Sequence, residues 1–85
     1  MAAIFTNVNG NGFTLHKEGT VEEVRNESVA LRKRAQNKNF RVSQPEPAED
    51  GINVYYYFRG NEIVIAHICN NDSELEEFKS NNSIH

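Results

Sequence analysis

Two apolar runs separated by a polar turn form the clearest pattern along the chain. The stretch 52–69 reads INVYYYFRGNEIVIAHIC, and Gly60 and Asn61 stand between the two runs. Because β-branched and aromatic residues favour strands and a Gly-Asn pair favours a tight turn, this stretch predicts a β-hairpin. A two-residue turn places Phe58 opposite Ile63 and thereby fixes the register of the hairpin.

The register divides the hairpin into two faces, since neighbouring residues of a strand point to opposite sides of the sheet. We expect one face to close the core against a helix; its pairs are Ile52 with Cys69, Val54 with His67, Tyr56 with Ile65 and Phe58 with Ile63. The opposite face carries Tyr55, Tyr57, Arg59, Glu62, Val64, Ala66 and Ile68. The run 63–68 is apolar on both faces, which predicts a central strand covered on both sides.

The N-terminal part predicts another hairpin followed by a long helix. Residues 2–8 and 13–16 alternate between apolar and polar positions on either side of two Asn-Gly steps, as hairpin strands do. Thr20 is followed three residues later by Glu23, which is the capping-box spacing at the start of a helix. A helix of about 16 residues then carries one narrow apolar stripe. Its members are Val21, Val24, Ser28, Leu31 and Ala35.

A third strand and a second helix complete the predicted elements. The strand at 40–43 has Phe40 and Val42 facing inward, and two prolines make 44–51 an exposed loop. Asn71 or Asp72 caps a short C-terminal helix, with Leu75 and Phe78 as its apolar edge.

The order β-β-α-β-β-β-α defines the expected fold class. We predict a small α+β domain with a mostly antiparallel sheet of four to five strands, one long helix packed on it and a short C-terminal helix. Residues 1–79 are expected to form a single domain, and residues 80–85 are expected to fray.

Composition narrows the possible functions only slightly. The 85 residues carry a net charge of -3, so long-range charge does not draw the whole molecule to nucleic acid or to anionic membranes. A single cysteine excludes an intramolecular disulfide and a multi-cysteine zinc site. No stretch approaches the roughly 18 apolar residues of a membrane span. We therefore expect a cytoplasmic protein without a metal or another cofactor.

A cluster of basic residues suggests one possible partner, nucleic acid. Its members are Arg25, Arg32, Lys33, Arg34, Lys38 and Arg41. Such a cluster can neutralise phosphates while Tyr55 and Tyr57 stack on bases. A solvated helix explains the pattern better, because acidic residues at its start and basic residues at its end match the helix dipole. The basic side chains also fall on several sides of the helix.

From Thr20 onward, the order helix, three strands, helix is similar to that of the double-stranded-RNA-binding domain. That family holds phosphates with a lysine-rich start of its second helix. Residues 72–77 of this chain read DSELEE instead. Carboxylates at that position would repel RNA, which argues against a double-stranded-RNA role.

Tyrosine and arginine on one sheet face suggest another partner, a protein. Tyr55, Tyr57 and Arg59 alternate along one strand, and Arg41 joins them from the neighbouring strand in the expected arrangement. These residue types are enriched at interaction hot spots because each offers a large contact area with a polar end. In the alternative interpretation, the C-terminal helix covers this face within the same chain.

Candidate catalytic residues are few. His67 and Cys69 share a face at spacing i,i+2, which is the arrangement of a thiol and a base only if they lie within hydrogen-bond reach. Both are expected in the core, where a buried histidine and an inert thiol are common. The spacing of Glu46, Glu49 and Asp50 does not fit a calcium loop. The sequence therefore predicts no enzyme.

These patterns favour a small non-catalytic binding protein that acts through protein–protein contacts. We expect such a protein to act as an adaptor, an inhibitor or an accessory factor, or to form a homodimer, with the Tyr/Arg face as the contact surface. The alternative is a nucleic-acid-binding regulator that uses the basic cluster. A salt titration separates the two, because phosphate binding weakens steeply as salt rises.

Overall fold

Five antiparallel strands and two helices make up the protein in a computed structural model that describes residues 1–42 and 53–84. The strands are β1 (Ala2–Val8), β2 (Phe13–Gly19), β3 (Arg41–Val42), β4 (Val54–Arg59) and β5 (Glu62–Cys69). The helices are α1 (Val21–Asn37), between β2 and β3, and α2 (Asp72–Asn81) at the end of the chain. The predicted fold class and order of elements are confirmed.

The sheet has the strand order β2-β1-β5-β4-β3, so β5 lies at its centre as its two apolar faces predict. The hairpin register is also confirmed, with Phe58 opposite Ile63 and Val54 opposite His67. Gly60 makes the turn possible, because its φ of 58° lies in the left-handed region that glycine adopts without strain. The predicted pair of Ile52 with Cys69 and the predicted loop 44–51 lie outside the described residues.

Helix α1 begins where the capping box predicts. Thr20 Oγ1 accepts a hydrogen bond from the Glu23 backbone N–H at 3.1 Å, and the Thr20 backbone N–H donates to Glu23 Oε1 at 3.0 Å. These bonds to Thr20 hold the pKa of Glu23 below its usual value. The apolar stripe is confirmed from Val24 to Ala35, whereas Val21 is exposed.

The face of the sheet that α1 covers is the one that the sequence interpretation assigned to a partner. Tyr55 and Tyr57 are buried there and form one cluster with Val24 of α1. The expectation that α1 packs against the face of Tyr56 and Phe58 is therefore wrong. The stripe of α1 includes small side chains, which leave room beneath the helix for two tyrosine rings. Other buried members of this cluster are Ala2, Ile4, Ala66 and Ile68.

Helix α2 covers part of the opposite face. Its N-cap is Asn71, whose Oδ1 accepts a hydrogen bond from the Glu74 backbone N–H at 2.9 Å. Leu75 and Phe78 pack against a second cluster, whose other members are Ala3, Phe5 and Cys69, with Phe13 and Ile84 partly buried beside them. The alternative interpretation, in which Leu75 and Phe78 cover Tyr55 and Tyr57, is also wrong, because the two pairs lie on opposite faces of the sheet.

The C-terminal residues continue this packing. Helix α2 runs to Asn81, and the Ile84 backbone N–H donates to the Lys79 carbonyl oxygen at 2.8 Å. Within residues 1–42 and 53–84, neither helix has the length and apolar character needed to cross a membrane.

Candidate functional site

The predicted partner residues Tyr55 and Tyr57 do not form an accessible surface. Their exposed fractions are 0% and 1%, because α1 lies directly over them. Burial raises the pKa of Tyr57 to about 12, although the nearby Arg32 charge acts in the opposite direction. A partner cannot reach either ring while α1 is in place.

Arg59 connects the hairpin turn to the end of α1. Its Nη1 donates to the Lys38 carbonyl oxygen at 2.8 Å, and its Nη2 donates to Glu62 Oε1 at 3.0 Å. The guanidinium carbon lies 4.4 Å from the centre of the Phe40 ring, which is a cation–π distance. These contacts give Arg59 an intramolecular role in holding the hairpin to α1.

An exposed apolar surface lies on the opposite side of the hairpin. We call it the exposed strip; in it Tyr56 and Phe58 are exposed, and Val54, Ile63 and Ile65 beside them are half-buried. Tyr56 and Phe58 are 39% and 41% exposed, and their rings stack with centroids 6.3 Å apart. Arg41 is opposite Phe58 in the register, so it borders this strip and lies on the other face from Tyr57. The expected grouping of Arg41 with Tyr55, Tyr57 and Arg59 is therefore wrong.

Helix α2 forms the other border of the exposed strip. The His67 ring stacks on Phe78 with centroids 4.2 Å apart, and this places α2 against β5. A groove of about 210 Å³ lies between His67, which is opposite Val54 in the register, and the acidic side of α2 that carries Glu74 and Glu77. The strip is thus an apolar floor between an acidic helix and the basic side chain of Arg41.

Two of the six basic residues make side-chain contacts with other residues of the same chain. Arg25 Nη2 donates to Asn70 Oδ1 at 2.5 Å, and this bond ties α1 to the start of α2. Arg34 Nη2 lies 2.6 Å from Glu27 Oε2, which His16 also contacts at 2.7 Å. The Arg34 and His16 contacts hold the pKa of Glu27 below its usual value.

The remaining basic residues are spread over different surfaces. Arg32 is half-buried near Tyr57, whereas Lys33 and Lys38 are exposed on α1 and at its end. Arg41 lies on the face of the sheet that α1 does not cover. The six residues of the predicted nucleic-acid patch are therefore not gathered on one surface.

The environment of Cys69 raises the pKa of its thiol, whereas a nucleophilic cysteine needs a lowered pKa. The thiol is buried beneath α2, and this burial, together with the Glu74 charge, raises its pKa to about 11. A thiol in this state is protonated at neutral pH and is a weak nucleophile. Among the residues that the structure describes, no cluster of three or more His, Cys, Asp or Glu side chains is placed to hold a metal ion.

We expect His67 to make the free energy of unfolding dependent on pH. Burial lowers its pKa below the usual 6.5, and the Glu74 charge offsets only part of this effect. The unfolded chain therefore binds the proton more readily, so the free energy of unfolding falls as pH drops from 6.5 through the folded pKa. We expect His67→Phe, which retains an aromatic ring beside Phe13 and Phe78, to remove this component.

The measurement is chemical denaturation of both proteins between neutral and mildly acidic pH. His16→Asn is the comparison variant, because it removes the other histidine of the described residues, which contacts Glu27 rather than Phe78, and should leave the His67 component in place. An equally steep loss of stability in His67→Phe and wild type would contradict the assignment to His67.

One further concave feature lies on the α1 side of the sheet. A cavity of about 190 Å³ lies between the end of α1 and the sheet, with Leu31, Phe40 and Val64 among its walls. Pockets for drug-sized ligands usually exceed about 300 Å³. This cavity is therefore small for a ligand of that size.

Comparisons with protein-family models, with curated proteins and with solved structures found no match. Sequence reasoning missed Tyr56 and Phe58 as surface residues because it assigned the two faces of the hairpin in reverse. The spacing itself was informative, since it correctly grouped these residues with Ile63 and Ile65.

Proposed function

We propose that this chain is a small non-catalytic binding domain that contacts another protein through the exposed strip, as an adaptor, an inhibitor or an accessory factor. The observation that supports this proposal is the exposure of two stacked aromatic rings, Tyr56 and Phe58, beside Ile63 and Ile65. Exposed aromatic side chains grouped with aliphatic ones are the residue types that contribute most to binding at many protein interfaces.

The chemistry of the strip suits recognition of a protein. Aromatic side chains provide large contact area at a small cost in conformational entropy, and they dominate the binding energy of many interfaces. The polar borders on α2 and at Arg41 surround this apolar centre, as a polar rim surrounds the core of a typical interface.

Site-specific photo-crosslinking in an extract of the native host tests this function. A benzophenone amino acid replaces Phe58 in one protein and Glu22, on the exposed side of α1, in another. We expect a defined protein adduct from position 58 that position 22 does not give. An excess of unlabelled wild type should compete this adduct away, because it occupies the same partner.

The competition also distinguishes the strip from other apolar surface. Unlabelled Leu15→Thr should compete as well as wild type, because Leu15 is a 50% exposed strand residue on the far edge of the sheet. Unlabelled Phe58→Thr should compete at least tenfold less well, a loss of about 1.4 kcal/mol in binding. Circular dichroism checks that each variant folds. Equal competition by Phe58→Thr and Leu15→Thr would overturn the proposed function.

A further inference from the structure

The second layer on the α2 side of the sheet is only half filled. Five strands spaced about 4.8 Å apart form a sheet roughly 20 Å wide, whereas one helix covers about 10 Å. Helix α2 packs against β1 and β5, and the exposed strip continues beside it over β5 and β4. The open part of the layer therefore has about the width of one more helix.

The length of the strip also matches one short helix. Strand β4 has six residues, so the strip is roughly 20 Å long at about 3.3 Å per residue. A helix of about 13 residues spans that length. The resulting area is roughly 200 to 300 Å², which is well below the approximately 800 Å² that each partner buries in a standard interface. A single element fits this surface better than a whole domain does.

A helix satisfies the backbone better than a strand at this position. The neighbouring layer is α2, and the side of α2 that faces the strip carries side chains rather than backbone hydrogen-bonding groups. A strand laid beside it would leave the N–H and C=O groups along its edge without backbone partners, whereas a helix bonds its own.

The borders of the strip define the charge of the incoming helix. Glu74 and Glu77 lie one helical turn apart on the side of α2 that faces the groove, with Asn81 beyond them. Cationic side chains on the flank of a helix lying in the groove would meet these carboxylates. Arg41 stands at the opposite border, where an acidic or neutral flank is favourable.

Within residues 1–42 and 53–84, a second copy of this chain offers no helix with a free apolar stripe. The exposed side of α2 carries Glu76, Glu77 and Ser80, and that of α1 carries Glu22, Asn26 and Lys33. The apolar stripes of both helices pack within their own domain, and the exposed Val21 stands alone at the start of α1. We therefore take a helix of a partner protein as the occupant.

We infer that the exposed strip and the acidic side of α2 form a docking groove for one amphipathic helix of a partner protein, with an apolar stripe against Tyr56 and Phe58 and a lysine- or arginine-bearing flank beside Glu77. This inference rests on the proposed protein-binding function and names the class of its partner. The mode resembles other complexes in which a helix lies in an apolar groove.

Synthetic helices test the inference directly. Two stapled peptides of about 14 residues share one leucine stripe. One carries lysine on both flanks and the other carries glutamate on both flanks. Because both flanks are alike, the result does not depend on the direction in which the peptide docks. Fluorescence anisotropy measures affinity, and NMR chemical shifts locate the site. We expect the lysine peptide to bind wild type about tenfold more tightly than the glutamate peptide, with shifts centred on the exposed strip.

Two charge-reversal variants supply the matched comparison. Glu77→Lys should reduce the preference for the lysine peptide to threefold or less, because Glu77 faces the groove. In binding free energy, a tenfold preference corresponds to about 1.4 kcal/mol. Glu76→Lys makes the same change in net charge but faces the opposite side of α2, near Lys79 and Ile84, so it should keep most of the preference at physiological salt.

Three outcomes would overturn the helix inference. They are equal binding of both peptides, equal binding of a lysine peptide interrupted by two prolines, and formation of a dimer that Phe58→Thr abolishes. If position 58 still crosslinks a protein in the host extract while the peptides fail, the proposed function stands and only the helical partner is wrong. If position 58 gives no adduct, the proposed function itself fails.

Discussion

Tyr57→Ala is expected to destabilise the domain by about 3 to 5 kcal/mol, because it empties a fully buried aromatic site beneath α1. A chain of 85 residues has a total stability of roughly 4 to 13 kcal/mol, so this variant loses a large part of it or unfolds. Denaturant-induced unfolding followed by circular dichroism measures the change. The effect is on folding, whereas the sequence interpretation placed Tyr57 at a partner surface.

The neighbouring tyrosine provides the control. Tyr56→Ala should cost under about 1 kcal/mol, because its side chain is 39% exposed on the other face. Tyr57→Phe separates the ring from the hydroxyl, which has no hydrogen-bond partner in the described part of the chain. It should retain full stability or gain up to about 1 kcal/mol, since it removes a buried polar atom without a partner. Similar losses for Tyr57→Ala and Tyr56→Ala would contradict the observed assignment of faces.

Phe78→Ala is expected to have a comparable effect through the other helix. Phe78 is only 8% exposed and lies 4.7 Å from Phe5, 5.1 Å from Phe13 and 4.2 Å from His67, measured between ring centroids. Its truncation leaves a cavity among three aromatic rings and should cost about 3 to 5 kcal/mol. The free energy of unfolding from urea titration measures this cost.

The reactivity of Cys69 reports whether α2 has loosened. The thiol is buried in the cluster that Leu75 and Phe78 cover, so iodoacetamide should modify it faster in Phe78→Ala than in wild type. Glu77→Ala changes the adjacent, exposed residue of α2 and should leave both stability and alkylation close to wild type. Unchanged alkylation in a destabilised Phe78→Ala would show that α2 is not what protects the thiol.

Local patterns predicted the elements of this fold well. The capping box at Thr20 marks the start of α1, and Gly60-Asn61 fixes the hairpin register, because both signals depend on residues close together in the chain. The two apolar faces of β5 correctly predicted its central place in the sheet.

The candidate site was less accessible to sequence reasoning. Alternation shows which residues share a face but does not show which face a helix covers, and both faces of this hairpin are largely apolar. The phenol groups of Tyr55 and Tyr57 suggested a surface, although their rings fill the space beneath the small residues of α1.

The handedness of strand–helix–strand connections identifies the face that α1 covers, but only when the order of the strands in the sheet is known. Strands β2 and β3 run parallel at the two edges of the sheet, and α1 connects them. Such connections are almost always right-handed, which fixes the face that the helix covers once the strand order is known. That order depends on the pairing of β1 with β5, which no short sequence motif predicts.

The pairing of β1 with β5 also bears on how the chain folds. Ala3 faces Cys69 and Phe5 faces His67, so the centre of the sheet joins segments far apart in the sequence. Closing so long a loop costs conformational entropy before any core contact compensates for it. The two hairpins and α1 are the local units of the chain, and the sheet that organises them is complete only when β1 and β5 meet.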